Sequence, residues 1–169
     1  MDNRIYWIWL STIKGIGIRK LSILLKEYGN IENLWNLDKN KMKTIKNIGE
    51  NVIFRLLNNE YKIKAYKYLE YMIKNKIDII SIQDVKYPKQ LKDIYDPPIA
   101  IYVQGNVNIM QKHELISIVG SRQCSYYGRK IALELSKYLS DKNITIVSGL
   151  AKGIDSYSHI GALKGEGKT

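Results

Sequence analysis

Apolar residues recur at helical spacing through the first half of the chain. Tyr6, Trp7, Trp9, Leu10 and Ile13 form a stripe that stops at Lys14-Gly15, which predicts a helix ending there. Leu21, Leu24 and Leu25 predict a second helix over Ile18–Tyr28, with Gly29 as its stop. Ile31, Leu34 and Trp35 add another turn or two, and Leu37-Asp38 opens a segment with Met42 and Ile45 inward. Asn47-Ile48-Gly49 reads as a turn, Val52–Leu57 as helix, and Tyr61, Ala65, Tyr68, Leu69 and Met72 as one face of a longer helix. Ile13-Lys14-Gly15-Ile16-Gly17 and Ile45-Lys46-Asn47-Ile48-Gly49 repeat one pattern, each joining two short helices. The second copy has Asn in place of the first glycine, and Asn is the other residue that tolerates left-handed backbone angles.

The period then changes. Ile77–Ile82 is β-branched and strand-like, and Ile99–Val103 reads as a second strand closed by Gly105. Tyr87-Pro88 and Asp96-Pro97-Pro98 interrupt any helix between them. The change predicts a helical domain over 1–75 and an α/β domain over 76–169. In the latter, Leu115–Val119 and Ile144–Val147 are strands, each leading through a loop into a helix. Gly165-Glu166-Gly167 reads as a turn toward a further strand, so the expectation is a truncated sheet with an unpaired edge.

Charge narrows the partner. The net charge is +11, and residues 1–76 carry 15 Lys and Arg against 7 acids, which favours a polyanion. Lysine richness of this kind also follows from AT-rich coding, so position counts for more than the total. No apolar run approaches the ~18 residues of a membrane span. The lone Cys124 rules out an internal disulfide framework and fits a reducing, cytoplasmic setting.

The chemistry concentrates in two loops. In a right-handed parallel βαβ unit both strands end on the same rim, so Gly120–Gly128 and Ser148–Asp155 are expected to face one crevice. Each leads into a helix N-terminus, whose N–H groups favour negative charge. Gly120, Gly149 and Gly153 permit close backbone approach, Ser121, Ser125 and Ser148 offer hydroxyls, and Arg122 and Lys152 supply one cation per loop. Tyr126 and Tyr127 are placed to stack on bases. A second phosphate site, or a turn used only for packing, is expected at Lys14, Gly15 and Gly17 with Arg19 and Lys20.

Other chemistry is poorly supported. Gly120 has no following glycine until Gly128, so the dinucleotide fingerprint is absent. Ala162 stands where a P-loop ending Gly167-Lys168-Thr169 requires glycine. Asp155 and His159 lie four apart on a helix and could pair, although a first-turn acid and a packed imidazole suffice. No metal constellation, cofactor motif or catalytic acid pair is present in the sequence.

These residues resemble those of the DNA-processing protein A family (DprA, also called Smf). The resemblance lies in Ile118-Val119-Gly120-Ser121-Arg122, followed by Ser125, Tyr127 and Gly128, and in Val147–Asp155. Ser158-His159, Gly161-Ala162-Leu163, Tyr87–Leu91 and Asp96–Gly105 also match. The resemblance implies an α/β fold: an incomplete Rossmann-like parallel sheet behind a small helix-hairpin-helix or SAM-like domain. It implies single-stranded DNA binding through Arg122 and Lys152, protection of incoming DNA and help in loading RecA recombinase during natural transformation, without catalysis. It also implies a homodimer in the full-length protein. The alternative is a nucleotide or phosphoribosyl hydrolase on a related fold, whose Pro-Gly-Gly-x-Gly-Thr loop and catalytic Glu are not found. A protein-interaction module with incidental basic charge is a third reading.

Overall fold

The first stripe folds as α1 (Arg4–Thr12), in which Ile5, Ile8, Trp9 and Leu10 are fully buried. The computed structural model describes residues 2–37, 45–112 and 114–169. α2 (Ile18–Tyr28) buries Leu21 and Leu24, and α3 (Ile31–Trp35) is capped by the Asn30 side chain, which accepts the Asn33 N–H. α4 (Glu50–Leu57) and α5 (Asn59–Lys74) follow, and Asn58 caps α5 by accepting from Glu60 N–H. The segment expected around Met42 falls on residues 38–44, outside the described residues. Trp35 organises the core edge-on, with ring centroids 5.6 Å from Tyr6, 5.3 Å from Trp9 and 5.9 Å from Tyr66. Each such pair contributes about 0.5–1.5 kcal/mol beyond its buried area.

The internal repeat is structural. Ile16 N–H donates to the Ile13 carbonyl (3.3 Å), and Ile48 N–H donates to the Ile45 carbonyl (3.0 Å). Gly15 (φ +97°) and Asn47 (φ +71°) hold the same left-handed position in the two turns. The copies also touch. Arg55 on α4 donates to the Lys14 carbonyl at 2.7 Å, and a Val52 methyl sits over Gly15.

β1 (Ile77–Ser81) pairs antiparallel with β2 (Ala100–Gln104), from Ile77↔Gln104 to Ser81↔Ala100, with the short α6 (Lys89–Lys92) between them. The Tyr87 hydroxyl donates to the Pro98 carbonyl at 2.8 Å and fastens the proline-rich connection. Ile79 and Ile80 are buried, and β1 packs against α1 and α5. The chain accordingly divides into compact units at 1–105 and 106–169, whereas the change of sequence period at residue 76 lies inside the first unit. The hairpin's apolar face is covered by the helices, which is why it joins their unit.

The second unit is a parallel βαβα run, after the short α7 (Ile109–Lys112). β3 (Leu115–Ser117), α8 (Tyr126–Asp141), β4 (Thr145–Val147) and α9 (Ile154–Lys164) follow in order, with register Leu115↔Thr145 to Ser117↔Val147. This is the Rossmann-like α/β arrangement. Both strands are shorter than the apolar runs that specify them. The helices meet through small residues: Ala132, Ser136 and Ser140 on α8, and Ser158, Gly161 and Ala162 on α9, are all buried. The Ser140 hydroxyl donates to the Ala162 carbonyl at 2.8 Å. Ile146 N–H donates to the Lys168 carbonyl at 3.0 Å, on the side of β4 away from β3. Among the described residues no helix is long and apolar enough to cross a membrane.

Candidate nucleic-acid interface

β3 and β4 run parallel, so their following loops leave the same rim. Glycine decides how closely those loops pack. At Gly153 (φ +87°) any side-chain carbon would collide with the carbonyl oxygens of Ser121 and Arg122. The next N–H, that of Ile154, donates to the Ser121 carbonyl at 3.2 Å. The Ile154 side chain fills the space over Gly120, where a Cβ would come within 2.7 Å of it, and it also reaches Gly128. Gly149 is closed off in the same way by the Asp155 carboxylate, 2.8 Å from its would-be Cβ. The Gly120–Gly128 and Ser148–Asp155 loops are thus stitched together, with Arg122 and Lys152 both exposed on them.

The serines and helix ends behave differently from expectation. The Ser121 hydroxyl turns back on Gln123, accepting its N–H (3.1 Å) and donating to its carbonyl (3.0 Å). Ser148 donates to the Ile118 carbonyl at 2.6 Å. Ser125 is the N-cap of α8 and accepts the Gly128 N–H at 3.1 Å. Two of the backbone donors expected to face an anion, on Gly128 and Ile154, are therefore spent within the fold. The Arg122 and Lys152 side chains stay exposed on the two loops and could meet an anion. Tyr126 and Tyr127, 80% and 73% exposed, lie on the first turn of α8.

Arg129 was not singled out from sequence. It lies one turn after Ser125, with its guanidinium over the Tyr157 ring at 4.8 Å, and it adds a third cation to the α8 N-terminal region. Its position in the first turn of the helix was the available signal. The helix residues Asp155 and His159 do not pair. Asp155 is a buried first-turn acid, and His159 Nδ1 partners the Thr169 hydroxyl. Cys124 is half-buried.

The second expected site lies in the first unit. Gly15, Gly17, Arg19 and Lys20 line a small cavity of about 210 Å³ with Tyr95 and Asp96. The Arg19 guanidinium stacks over the Tyr95 ring at 4.8 Å. Lys14 does not line the cavity, and its carbonyl is taken by Arg55. The Asp96 carboxylate lies beside Gly17, where its negative charge would oppose a phosphate.

Comparison with known proteins gives a consistent result. Residues 78–169 match the family model of DNA recombination-mediator protein A. DNA processing protein DprA of Bacillus subtilis (strain 168) is 41% identical over 93 residues, covering 55% of this chain and 31% of that protein. Protein Smf of Synechocystis sp. is 28% identical over 171 residues, covering 99% of this chain and 43% of that one. The X-ray structure of DprA from Streptococcus pneumoniae superposes with a TM-score of 0.63 at 27% identity, covering all of this chain and 57% of that one. The chain thus spans less than two thirds of the length of each. With the paired glycine loops and the matched span together, the chain belongs to the DNA recombination-mediator protein A family, DprA or Smf.

Proposed function

We propose that the paired loops of the second unit bind the backbone of single-stranded DNA. Arg122 grips one phosphate through its fork of donors, and Lys152 attracts a neighbouring phosphate as a point charge. Bases stay free to stack on Tyr126 and Tyr127. The observation that carries this reading is the seating of Gly153 against the Ser121–Arg122 backbone, which brings two exposed cations from separate crossovers onto adjoining loops. In this reading, which family membership supports, the chain acts in the cytoplasm as part of a non-catalytic, homodimeric recombination mediator. That mediator shields incoming single strands and assists RecA loading in transformation. The turn around Gly15 and Gly17, with Lys14, Arg19 and Lys20, makes at most a secondary phosphate contact.

The reading is tested by fluorescence anisotropy of a labelled single strand. Arg122→Ala and Lys152→Ala each weaken binding by roughly 1 kcal/mol, about fivefold, because each removes one exposed ionic contact. Far-ultraviolet circular dichroism stays unchanged, since both side chains are exposed. Wild-type affinity in both variants would exclude the loops as the binding surface.

A further inference from the structure

The α5 stripe does not all face inward. Of Tyr61, Ala65, Tyr68, Leu69 and Met72, only Ala65 and Met72 are buried. Tyr68 is 40% exposed, and its neighbour Tyr71 is 60% exposed. These two tyrosines, with Lys64, Tyr102 and the end of α1, line an open cavity of about 430 Å³ within the first unit. The size suits a flat, ring-sized ligand. Tyr102, on β2, is held in place by a 2.6 Å hydrogen bond between its hydroxyl and that of Ser11. Burial raises the Tyr102 phenol above its ordinary range. The Lys64 ammonium lies 5.4 Å from the Tyr68 ring centroid, which places positive charge at the rim of the aromatic wall.

We propose that this cavity receives a base of single-stranded nucleic acid, stacked on Tyr71, with Lys64 drawing in the adjoining phosphate. Charge complementarity selects this occupant over an apolar peptide. α5 carries Lys62, Lys64, Lys67 and Lys74 against only Glu60 and Glu70, and the unit as a whole carries 18 Lys and Arg against 11 acids. Tyrosine rings beside lysine form the sequence-tolerant platform that single strands use. A duplex keeps its bases stacked inside and cannot present one to the cavity. The site is independent of the loops around Arg122 and Lys152, sharing no residue with them.

Two measurements on the whole chain test it. Tyr71→Ala weakens binding of a thymidine oligonucleotide at least fivefold, Tyr71→Phe restores it, and an abasic strand of the same length binds wild type and Tyr71→Ala alike. Equal affinity of Tyr71→Ala and wild type for the thymidine strand would overturn the proposal, as would an equal loss on the abasic strand. Photocross-linking with an iodouracil strand, followed by peptide mapping, marks Tyr68, Tyr71 or Tyr102. This mark persists in the Arg122→Ala, Lys152→Ala double variant, so the two sites fail separately. Cross-links confined to residues 106–169 would refute the base pocket and leave the loop interface standing.

Discussion

Gly153 is the residue on which the candidate interface turns. It combines a left-handed backbone with the closest approach of one βα loop to the other. Gly153→Ala must either push the Ser121–Arg122 backbone away or distort α9 at its first turn. The expected cost is about 1–3 kcal/mol of stability, read from urea unfolding, with weaker DNA binding in the remaining folded fraction. Unaltered unfolding and binding would mean that the loops tolerate separation. A second residue-scale expectation concerns acid. Asp141 accepts from the Lys137 ammonium at 2.8 Å and from the Glu166 N–H at 3.2 Å, and the lysine bond above all holds its carboxyl below the ordinary carboxylate value. Its folded value being the lower one, its contribution to stability is present above the unfolded value and is lost as pH falls through the folded one. An NMR titration of Asp141 should therefore give a midpoint under 3.8, and Lys137→Ala should raise it. The identity of these glycines and cations was legible in the sequence. The internal bonding of Ser121, Ser125 and Ser148 was not, because a hydroxyl in a loop offers the same chemistry to a ligand and to its own backbone.

Elements built on amphipathic periodicity followed the sequence closely. α2 spans Ile18–Tyr28, as its leucines and Gly29 require, and the two repeat turns adopt matching hydrogen bonds. The pairing of β1 with β2 was not readable, since a run of β-branched residues specifies a strand but not its partner or direction. Nor was the outward turn of Tyr68, because an aromatic residue on a helix stripe is equally able to line a cavity or fill a core. The α8–α9 contact runs through small residues on both helices. There Gly161 packs against α8, and an added methyl would meet the Leu133 carbonyl and the Ser136 Cβ. Gly161→Ala should destabilise the second unit by about 1–3 kcal/mol through overpacking, measured by urea denaturation. A change within error would show that the two helices can separate freely.

Across the whole molecule, the sequence period marks a change of secondary structure at residue 76, while packing divides the chain after residue 105. The family match starts at residue 78, so the first unit combines a helical segment with the opening of the matched region. Positive charge is spread over both units, and charge of this kind would attract a nucleic acid at long range without fixing where a strand lies. In the proposed function the stitched loops set that position. Their contribution is isolated most directly by the salt dependence of single-strand binding, measured for wild type beside the Arg122→Ala, Lys152→Ala double variant. Each phosphate contact on a single strand contributes a slope of about 0.7 in log affinity against log salt, so loss of both contacts should flatten the slope by roughly 1.4 and lower affinity at every salt concentration. Parallel lines of equal height for the two proteins would contradict the account.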